Sequence, residues 1–371
     1  MASATLSTRG STVEGPALKQ PVLKPAALKQ DGPILEINGL RTWFFTSDGI
    51  VKAVDGVDIS VGRGEILGLV GESGSGKSVT MFSVMRLVGP PGQIVGGQIL
   101  FDGQDVLAMT KKELLAMRGN RVTMVFQQPN SSLNPAYRAG FQIGEVYEIH
   151  DKTKRKQAEE RAVEMLVKVG IPDAKRRARS YPHQLSGGMA QRVMIAMALA
   201  AGPELLIADE PTTALDVTIQ AQILDLIRDL QADLGMGVVL ITHDLGVVAE
   251  MAERVAVMYA GQIVEEAETP SLFREPLHPY TVGLIGSVPV IGRRLDQLAV
   301  IPGRVPNLIN LPPGCRFAPR CQARIQAGLT QCTEAMPALV EVGPGRRVRC
   351  FLHSDEVQVD TPVVLSKKQA G

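Results

Sequence analysis

The chain is poor in aromatic residues, has no long apolar run and carries no excess of either charge. Aromatic residues make up 4% of its 371 residues, and one of them is a tryptophan. The longest apolar stretch, residues 193–202, is shorter than the ~18 residues that a membrane-spanning helix needs. With 39 Lys and Arg residues against 38 Asp and Glu residues, no electrostatic field draws the protein to nucleic acid. If the protein acts at a membrane, we therefore expect a partner to hold it there.

Residues 1–33 do not show the pattern of a secretory signal, which is a positive start followed by an apolar block. Four prolines in this segment oppose the amphipathic helix of an organelle transit peptide, and the sequence Ala-Leu-Lys-Gln occurs in it twice. We therefore expect a flexible N-terminal tail of low complexity. The remaining length and the 45% apolar content predict about two globular domains.

Residues 71–78 read Gly-Glu-Ser-Gly-Ser-Gly-Lys-Ser, which fits the P-loop pattern G-x-x-x-x-G-K-[ST] and follows the apolar run 66–70. The glycines let backbone N–H groups approach a phosphate closely. Lys77 would reach the terminal phosphates, and Ser78 would ligate Mg²⁺ at the start of a helix from residue 79 to about residue 88. The predicted phosphate-binding residues are Gly71, Ser73, Gly74, Ser75, Gly76, Lys77, Ser78 and Val79.

Three short apolar runs share one design, because each ends in polar or phosphate-binding residues. Continuous apolar runs separated by helical segments predict parallel strands that are buried on both faces. In such an α/β sheet the ligand lies beyond the carboxyl ends of the strands, so these polar groups would meet at one edge. The runs are residues 66–70, 205–208 and 238–242.

Two acidic residues and a histidine follow the second and third of these runs. Asp209 would hold Mg²⁺ through its water shell, and Glu210 would orient or deprotonate the attacking water. His243 would hydrogen-bond the γ-phosphate or that water. Phosphoryl transfer depends mostly on placement and on charge stabilisation, so these few groups predict nucleotide hydrolysis.

Short apolar runs between residues 34 and 61 predict an antiparallel sheet at the entrance to the nucleotide domain. Trp43, Phe44 and Phe45 lie in this region. One of them could stack on an adenine ring. Alternatively, all three pack in the core or on the face of the sheet.

Residues 185–192, Leu-Ser-Gly-Gly-Met-Ala-Gln-Arg, open an apolar helix. Ser186, Gly187 and Gly188 place free backbone amides at the start of that helix, which is a second anion site. The chain has a single P-loop, so this second site would serve the nucleotide of another subunit.

The sequences GESGSGKS, LSGGMAQR, LLIADEP, TTALD and ITHD, in this order and spacing, resemble the motifs of the ATP-binding cassette ATPases. They are most similar to those of the dipeptide and oligopeptide importer subunits, and LHPY at residues 277–280 matches the C-terminal extension of that branch. The resemblance covers residues 34 to about 355. It implies an α/β P-loop NTPase with a parallel core sheet, an N-terminal antiparallel β-subdomain, a helical insert and a cysteine-containing C-terminal extension.

The resemblance also implies domain limits and residue roles. The ATPase domain would span residues 34–265, with a helical subdomain at about 128–184, and the extension would span residues 266–371. Gln127 would sense Mg²⁺ and the water, Glu210 would be the catalytic base and His243 the switch. Phe44 would stack on adenine, with Trp43 and Phe45 as alternatives. The Mg²⁺ ligands would be Ser78, Gln127 and Asp209, and the contacts across a dimer would come from Ser186, Gly187, Gly188 and Asp216.

The implied assembly is an importer at the cytoplasmic face of the cell membrane. This chain would pair with a homologous second ATPase as a heterodimer, below two transmembrane permease subunits and an extracytoplasmic peptide-binding protein. An amphipathic helix predicted within residues 152–170 belongs to the insert that would receive a helix of the permease. The alternatives are an importer for nickel or another small solute and, from another class, a soluble cassette ATPase without transport.

All four cysteines lie in the C-terminal part of the chain, at Cys315, Cys321, Cys332 and Cys350. Disulfides do not suit the reducing cytosol in which ATP chemistry would place the chain. A zinc site fits the number of ligands but not the close cysteine pairs that usually accompany it. The resemblance favours a four-iron four-sulfur cluster held by these cysteines, with zinc as the alternative.

Overall fold

The computed structural model describes residues 32–213, 215–287 and 301–358. Nearly all of the tail predicted for residues 1–33 lies outside these ranges. Within them, no helix combines the length and the apolar character needed to span a bilayer.

The described residues form twelve strands and twelve α-helices. The strands are β1 (Leu35–Thr46), β2 (Gly49–Val61), β3 (Ile66–Val70), β4 (Gly92–Phe101), β5 (Gln104–Asp105), β6 (Val122–Val125), β7 (Leu205–Asp209), β8 (Gly237–Thr242), β9 (Arg254–Tyr259), β10 (Gln262–Glu268), β11 (Val340–Gly343) and β12 (Arg346–Val348). The helices are α1 (Lys77–Val84), α2 (Lys111–Met117), α3 (Pro129–Ser132), α4 (Ala139–His150), α5 (Arg155–Lys168), α6 (Ala174–Arg177), α7 (Gly187–Leu199), α8 (Val217–Leu234), α9 (Leu245–Met251), α10 (Thr269–Arg274), α11 (Pro279–Gly286) and α12 (Gln322–Gln326).

The strands form two sheets. The smaller is antiparallel, in the order β2-β1-β4-β5, and the larger has the order β11-β12-β10-β9-β3-β8-β7-β6. Strands β9, β3, β8, β7 and β6 run parallel, whereas β10, β12 and β11 continue the larger sheet in antiparallel pairs. This confirms the predicted α/β fold with a parallel core sheet and an N-terminal antiparallel sheet.

The three predicted parallel strands are confirmed as β3, β7 and β8, which lie side by side. All residues of β3 are buried. Ile66 and Val70 join the apolar core on one face of the sheet, and Leu67 and Leu69 join the core on the other. Because both faces are covered by packed elements, the strand reads as a continuous apolar run.

The register of the parallel strands aligns the residues that precede the predicted site. Val70 pairs with Thr242, Ile241 pairs with Asp209, and Ala208 pairs with Val125. The P-loop, His243, Glu210 and the loop after β6 therefore all leave the sheet at one edge.

Several boundaries differ from the predictions. Between residues 34 and 61 the chain forms two long strands with bulges instead of several short ones. Helix α1 begins at Lys77, two residues earlier than predicted, because Gly76 takes the left-handed N-cap position with φ 107°. It ends at Val84, and Arg86 follows with φ 48°, which no helix can continue.

Four helices, α3 to α6, lie between Gln127 and the start of α7. The predicted amphipathic helix is confirmed as α5, and Ala158, Ala162, Met165 and Leu166 are its buried residues. It packs against α4, α6 and α7, which gives the insert an apolar interior continuous with the core. Strands β9 and β10 form a hairpin and are joined at Ala260 and Gly261, both with positive φ.

Candidate functional site

The P-loop is folded so tightly that side chains are excluded from two of its positions. A Cβ atom on Gly71 would collide with the carbonyl oxygen of Met258, and one on Gly76 would collide with that of Ala53. Both glycines also have positive φ, 152° and 107°. Glycine is therefore required at both positions for steric and conformational reasons.

The ammonium group of Lys77 lies against the loop that precedes it. Its Nζ donates hydrogen bonds to the carbonyl oxygens of Gly71 at 2.6 Å and Glu72 at 3.0 Å. Burial lowers the pKa of Lys77, and the charges of Glu210 and Asp209 oppose that shift. The lysine thus faces the same space as the two predicted acidic residues.

Ser78 and Asp209 meet directly, although 131 positions separate them in sequence. The Ser78 hydroxyl donates to Oδ1 of Asp209 at 3.0 Å. Asp209 is 6% exposed, and burial raises its pKa, against the effect of the Ser78 hydrogen bond. A hydroxyl and a carboxylate side by side at a phosphate loop are the hard oxygen ligands that suit Mg²⁺, so the residues fit the predicted metal.

Glu210 is held by three side chains. Gln127 and Thr213 each donate to its Oε2 at 2.8 Å, and Nδ1 of His243 lies 3.2 Å from its Oε1. Burial acts to raise the pKa of Glu210, but the hydrogen bonds from Thr213 and His243 outweigh it and hold that pKa below its ordinary value. The carboxylate is thus kept ionised and fixed in orientation.

The backbone at Glu210 has φ 47°, in the left-handed region that residues other than glycine rarely adopt. Such a conformation costs roughly 1–3 kcal/mol and is common at functional sites. This backbone conformation directs the Glu210 carboxylate away from the strand and towards Gln127 and His243.

Hydrogen bonds and charge interactions therefore join residues from four strand ends into one group. The predicted convergence is present in the geometry, and the role of each side chain remains a prediction. Sequence reasoning missed Thr213, whose position three residues after Glu210 was the available signal. The members of the group are Lys77, Ser78, Gln127, Asp209, Glu210 and His243.

The predicted second anion site lies elsewhere. Ser186 caps α7 by accepting a hydrogen bond from the Met189 amide at 3.3 Å, and Ser186 and Gly187 are exposed. Asp216 caps α8 in the same way, through the Ile219 amide at 2.9 Å. Within the described ranges, no hydrogen bond or ion pair links these residues to the P-loop of their own chain. Their role across a dimer stays a prediction.

Trp43 and Phe44, two of the three N-terminal aromatics, differ in their surroundings. The Trp43 indole donates to Asp55 at 3.3 Å and lies under Lys52, 5.0 Å from the ring centroid. The Phe44 ring packs so closely on Gly92 that a Cβ there would lie 2.6 Å from it. The choice of Phe44 as the adenine-stacking residue stays a prediction.

The prediction of an iron–sulfur cluster is wrong. Among the residues that the structure describes, no group of three or more Cys, His, Asp or Glu side chains could hold a metal ion, which applies equally to zinc. Cys315, Cys321, Cys332 and Cys350 are free thiols that border one apolar pocket. Burial raises the pKa of Cys315 to about 11 and that of Cys350 to about 12. Burial thus disfavours the thiolate, which is the form that binds metals, at Cys315 and Cys350.

The LHPY sequence has a structural role that sequence reasoning did not assign. His278 caps α11 by accepting a hydrogen bond from the Tyr280 amide at 3.0 Å. The buried carboxylate of Glu265 accepts the amides of Leu277 and His278 at 2.8 Å each. This segment is therefore fastened to β10 of the large sheet.

We expect His278 to make the protein less stable as the pH falls below about 6.5. Burial lowers the pKa of His278 from 6.5 to about 3, and the charges of His353 and Arg349 act in the same direction. Between these values the unfolded chain binds a proton that the folded chain does not, so the free energy of unfolding falls by up to roughly 1 kcal/mol per pH unit. Thermal melts of the wild type from pH 7.5 to 5 measure this loss.

The matched variant is His278→Asn, which keeps a side-chain oxygen for the cap and removes the titration. Its melting temperature should fall less between pH 7.5 and 5 than that of the wild type. His183→Asn, at an exposed position, serves as the control and should follow the wild type. An equal fall in all three proteins would contradict the assignment to His278.

Sequence models of two known families match this chain. The model of the ABC transporter family matches residues 54–213, and that of the oligopeptide/dipeptide transporter C-terminal region matches residues 264–327. The chain is 52% identical to the oligopeptide transport ATP-binding protein AppD of Bacillus subtilis, over 87% of this chain and 98% of AppD. It is 54% identical to a relative from Brucella melitensis named as a peptide import ATP-binding protein, over 86% of this chain and 97% of the relative.

Solved structures give the same fold. A dimeric ATP-binding cassette, MJ0796, bound to ADP and phosphate, superposes with a TM-score of 0.57 at 28% identity, over 63% of this chain and 98% of that one. The cassette cbiO1 of Clostridium perfringens, part of an ABC transporter complex, also gives 0.57, at 27% identity, over 66% of this chain and 92% of that one.

Proposed function

This chain belongs to the ABC transporter family of ATPases, and we propose that it is the ATP-hydrolysing subunit of an importer for dipeptides or oligopeptides. The observation that carries the proposal is the match of residues 264–327 to the C-terminal region of oligopeptide and dipeptide transporters. That region follows a cassette in which the P-loop, two acidic residues and a histidine meet at one edge of the sheet.

The contacts of the site support a division of labour in ATP hydrolysis. Lys77 leaves the loop carbonyls to neutralise the terminal phosphates as a mobile charge. Glu210 orients the attacking water and takes its proton, and the low pKa of this carboxylate keeps it ionised for that purpose. Gln127 and His243 hold the Glu210 carboxylate in place and face the same water. Phe44 is proposed to stack on the adenine ring.

Ser78 and Asp209, with Gln127, would hold Mg²⁺. When bound with ATP, this ion would supply positive charge that neutralises the negative charge developing on the phosphate oxygens as the bond breaks. The chain's own part is to fix the oxygen ligands: the hydrogen bond between Ser78 and Asp209 already brings them to 3.0 Å.

A second ATPase subunit, homologous to this one, would complete each site. At the start of α7, Ser186 and Gly187 are exposed and Gly188 is half-buried, and Asp216 lies at the exposed start of α8. Val217, next to it, is 83% exposed, the highest value among the described large apolar residues that are exposed. These features support a dimer in which the second anion site of each chain covers the nucleotide of its partner.

The helical insert, proposed as residues 128–184, offers a surface for a permease helix. A groove of about 920 Å³ runs between α4, α5 and α6. Tyr137 stacks on Phe141 at 4.8 Å between centroids, and Arg155 lies over Phe141 at 5.2 Å. The groove is lined by these aromatic rings and by five basic and two acidic side chains, and this excess of positive charge suits a short amphipathic helix that carries acidic residues. Docking there would place the protein at the cytoplasmic face of the membrane.

We expect Tyr137→Ser to weaken the association with the permease and to leave the ATPase activity of the isolated subunit within about twofold. Tyr137 is 49% exposed, so its loss removes apolar contact area from the groove and not from the core. Co-purification with tagged permease subunits measures the effect. Leu115→Ser is the matched control, since Leu115 is 56% exposed on α2. If both variants bind the permease equally, the groove is not the docking site.

The importer itself is tested by reconstitution. The chain, its second ATPase and two permease subunits are placed in vesicles with a peptide-binding protein, and ATP hydrolysis is measured with dipeptide, oligopeptide or nickel. Stimulation by peptides supports the proposal. Stimulation by nickel alone would assign the other cargo, and hydrolysis that responds to neither permease nor cargo would favour a soluble cassette ATPase.

A further inference from the structure

Glu72, the second residue of the P-loop, is bound by two side chains from the C-terminal extension. Its backbone amide donates to the hydroxyl of Tyr280 at 2.9 Å. Its carboxylate forms a two-pronged ion pair with Arg320, at 2.7 and 3.1 Å. Its carbonyl oxygen accepts from Lys77 at 3.0 Å. One residue thus connects the phosphate-binding lysine to two side chains that lie more than 200 positions away.

Arg320 is itself fixed in place. Its side chain is 6% exposed, and its Nε donates to the Pro302 carbonyl at 2.7 Å. The guanidinium lies over the rings of Tyr259 and Phe317, at 5.8 and 5.9 Å from their centroids. The hydrogen bond with Glu72 raises the pKa of Arg320 above its ordinary value, so the charge is permanent. A planar, two-pronged pair with a buried arginine restricts the Glu72 carboxylate more than a single-contact surface ion pair does.

Tyr280 is equally rigid. Its side chain is fully buried, and its ring packs against Tyr259 at 4.6 Å and Phe317 at 5.5 Å between centroids. His278 caps the helix on which it lies, and Glu265 fastens that cap to β10. Tyr280 and Arg320 are therefore both held by contacts that do not involve the P-loop.

We propose that Arg320 and Tyr280 are positioning residues for ATP binding, through which the C-terminal extension sets the conformation of the P-loop. The backbone around Glu72 must keep one shape for the loop amides to point at the phosphates and for Lys77 to reach them. Loss of either anchor lets this backbone sample other shapes. The free enzyme then binds ATP less often in the competent form, and the affinity falls.

The inference rests on the proposed role of the P-loop in ATP binding, and it predicts a specific kinetic pattern. In the assembled transporter, Arg320→Met should raise KM for Mg·ATP about 10-fold and change kcat by less than about twofold, because the loop contacts the nucleotide before and during the reaction alike. Tyr280→Phe keeps the packed ring, loses the acceptor for the Glu72 amide and should raise KM by a smaller factor. Glu72→Gln should resemble Arg320→Met.

Two controls separate positioning from general stability. Arg347→Met removes another contact between the extension and the cassette, the hydrogen bond to the Asp58 carbonyl oxygen of β2 at 3.3 Å, together with an ion pair to Glu266 of β10. It should lower the melting temperature without raising KM. The double variant Glu72→Gln/Arg320→Met should be no worse than the single ones, because the two residues act as a pair. If Arg320→Met does not fold, Arg320→Lys and Glu72→Gln carry the same measurement.

The outcomes distinguish failure of the inference from failure of the proposed P-loop function. A rise in KM for the variants at 72, 280 and 320, but not for Arg347→Met, supports the inference. Unchanged KM in those variants, with ATP binding lost in Lys77→Ala, overturns the inference alone. ATP binding retained in Lys77→Ala would overturn the proposed P-loop function itself.

Discussion

Glu210→Gln is expected to lower ATP hydrolysis by about 10²–10⁴-fold while ATP still binds. The amide is nearly the same size as the carboxylate, so the contacts with Gln127, Thr213 and His243 can be rearranged around it. The amide cannot accept the proton of the attacking water. Single-turnover hydrolysis and a separate binding measurement with labelled ATP distinguish the two effects.

The control for this variant is Glu250→Gln, on α9. Glu250 is exposed and pairs with Arg228 at the surface, away from the P-loop. Its hydrolysis rate should equal that of the wild type. A Glu210→Gln protein that hydrolyses ATP at a comparable rate would remove Glu210 from the role of base, and a variant that fails to bind ATP would assign it to binding instead.

Lys77→Ala is expected to weaken ATP binding by more than about 100-fold, since it removes a charge-assisted contact to phosphate in a largely buried site. It also frees the carbonyl oxygens of Gly71 and Glu72 that the lysine now occupies. Titration with Mg·ATP by calorimetry measures the affinity. Lys112→Ala, on the exposed face of α2, is the matched control and should bind as the wild type does. Equal affinities would exclude the P-loop lysine from phosphate binding.

The sequence predicts the site best where a buried strand ends at a polar residue. Short continuous apolar runs between helical segments favour strands covered on both faces, and the carboxyl ends of parallel strands share an edge. From these two facts, the sequence alone predicts that Lys77, Asp209, Glu210 and His243 lie close together. They also predict the fold class.

What the sequence did not indicate depends on pairs that are distant along the chain. Arg320 and Glu72 are 248 positions apart, and neither has a pattern that names its partner. The cysteine prediction failed for a related reason: four cysteines in one region show that the side chains can approach each other, but not whether the surroundings favour thiolates. Here burial raises the pKa of Cys315, Cys332 and Cys350, and that depends on the tertiary structure.

The left-handed backbone at Glu210 has a consequence for how this protein could be altered. For folding alone, glycine or asparagine would fit that φ angle better than glutamate. Selecting variants only for heat tolerance would therefore tend to discard the residue on which turnover is proposed to depend. Position 210 is where the needs of folding and of chemistry oppose each other most directly.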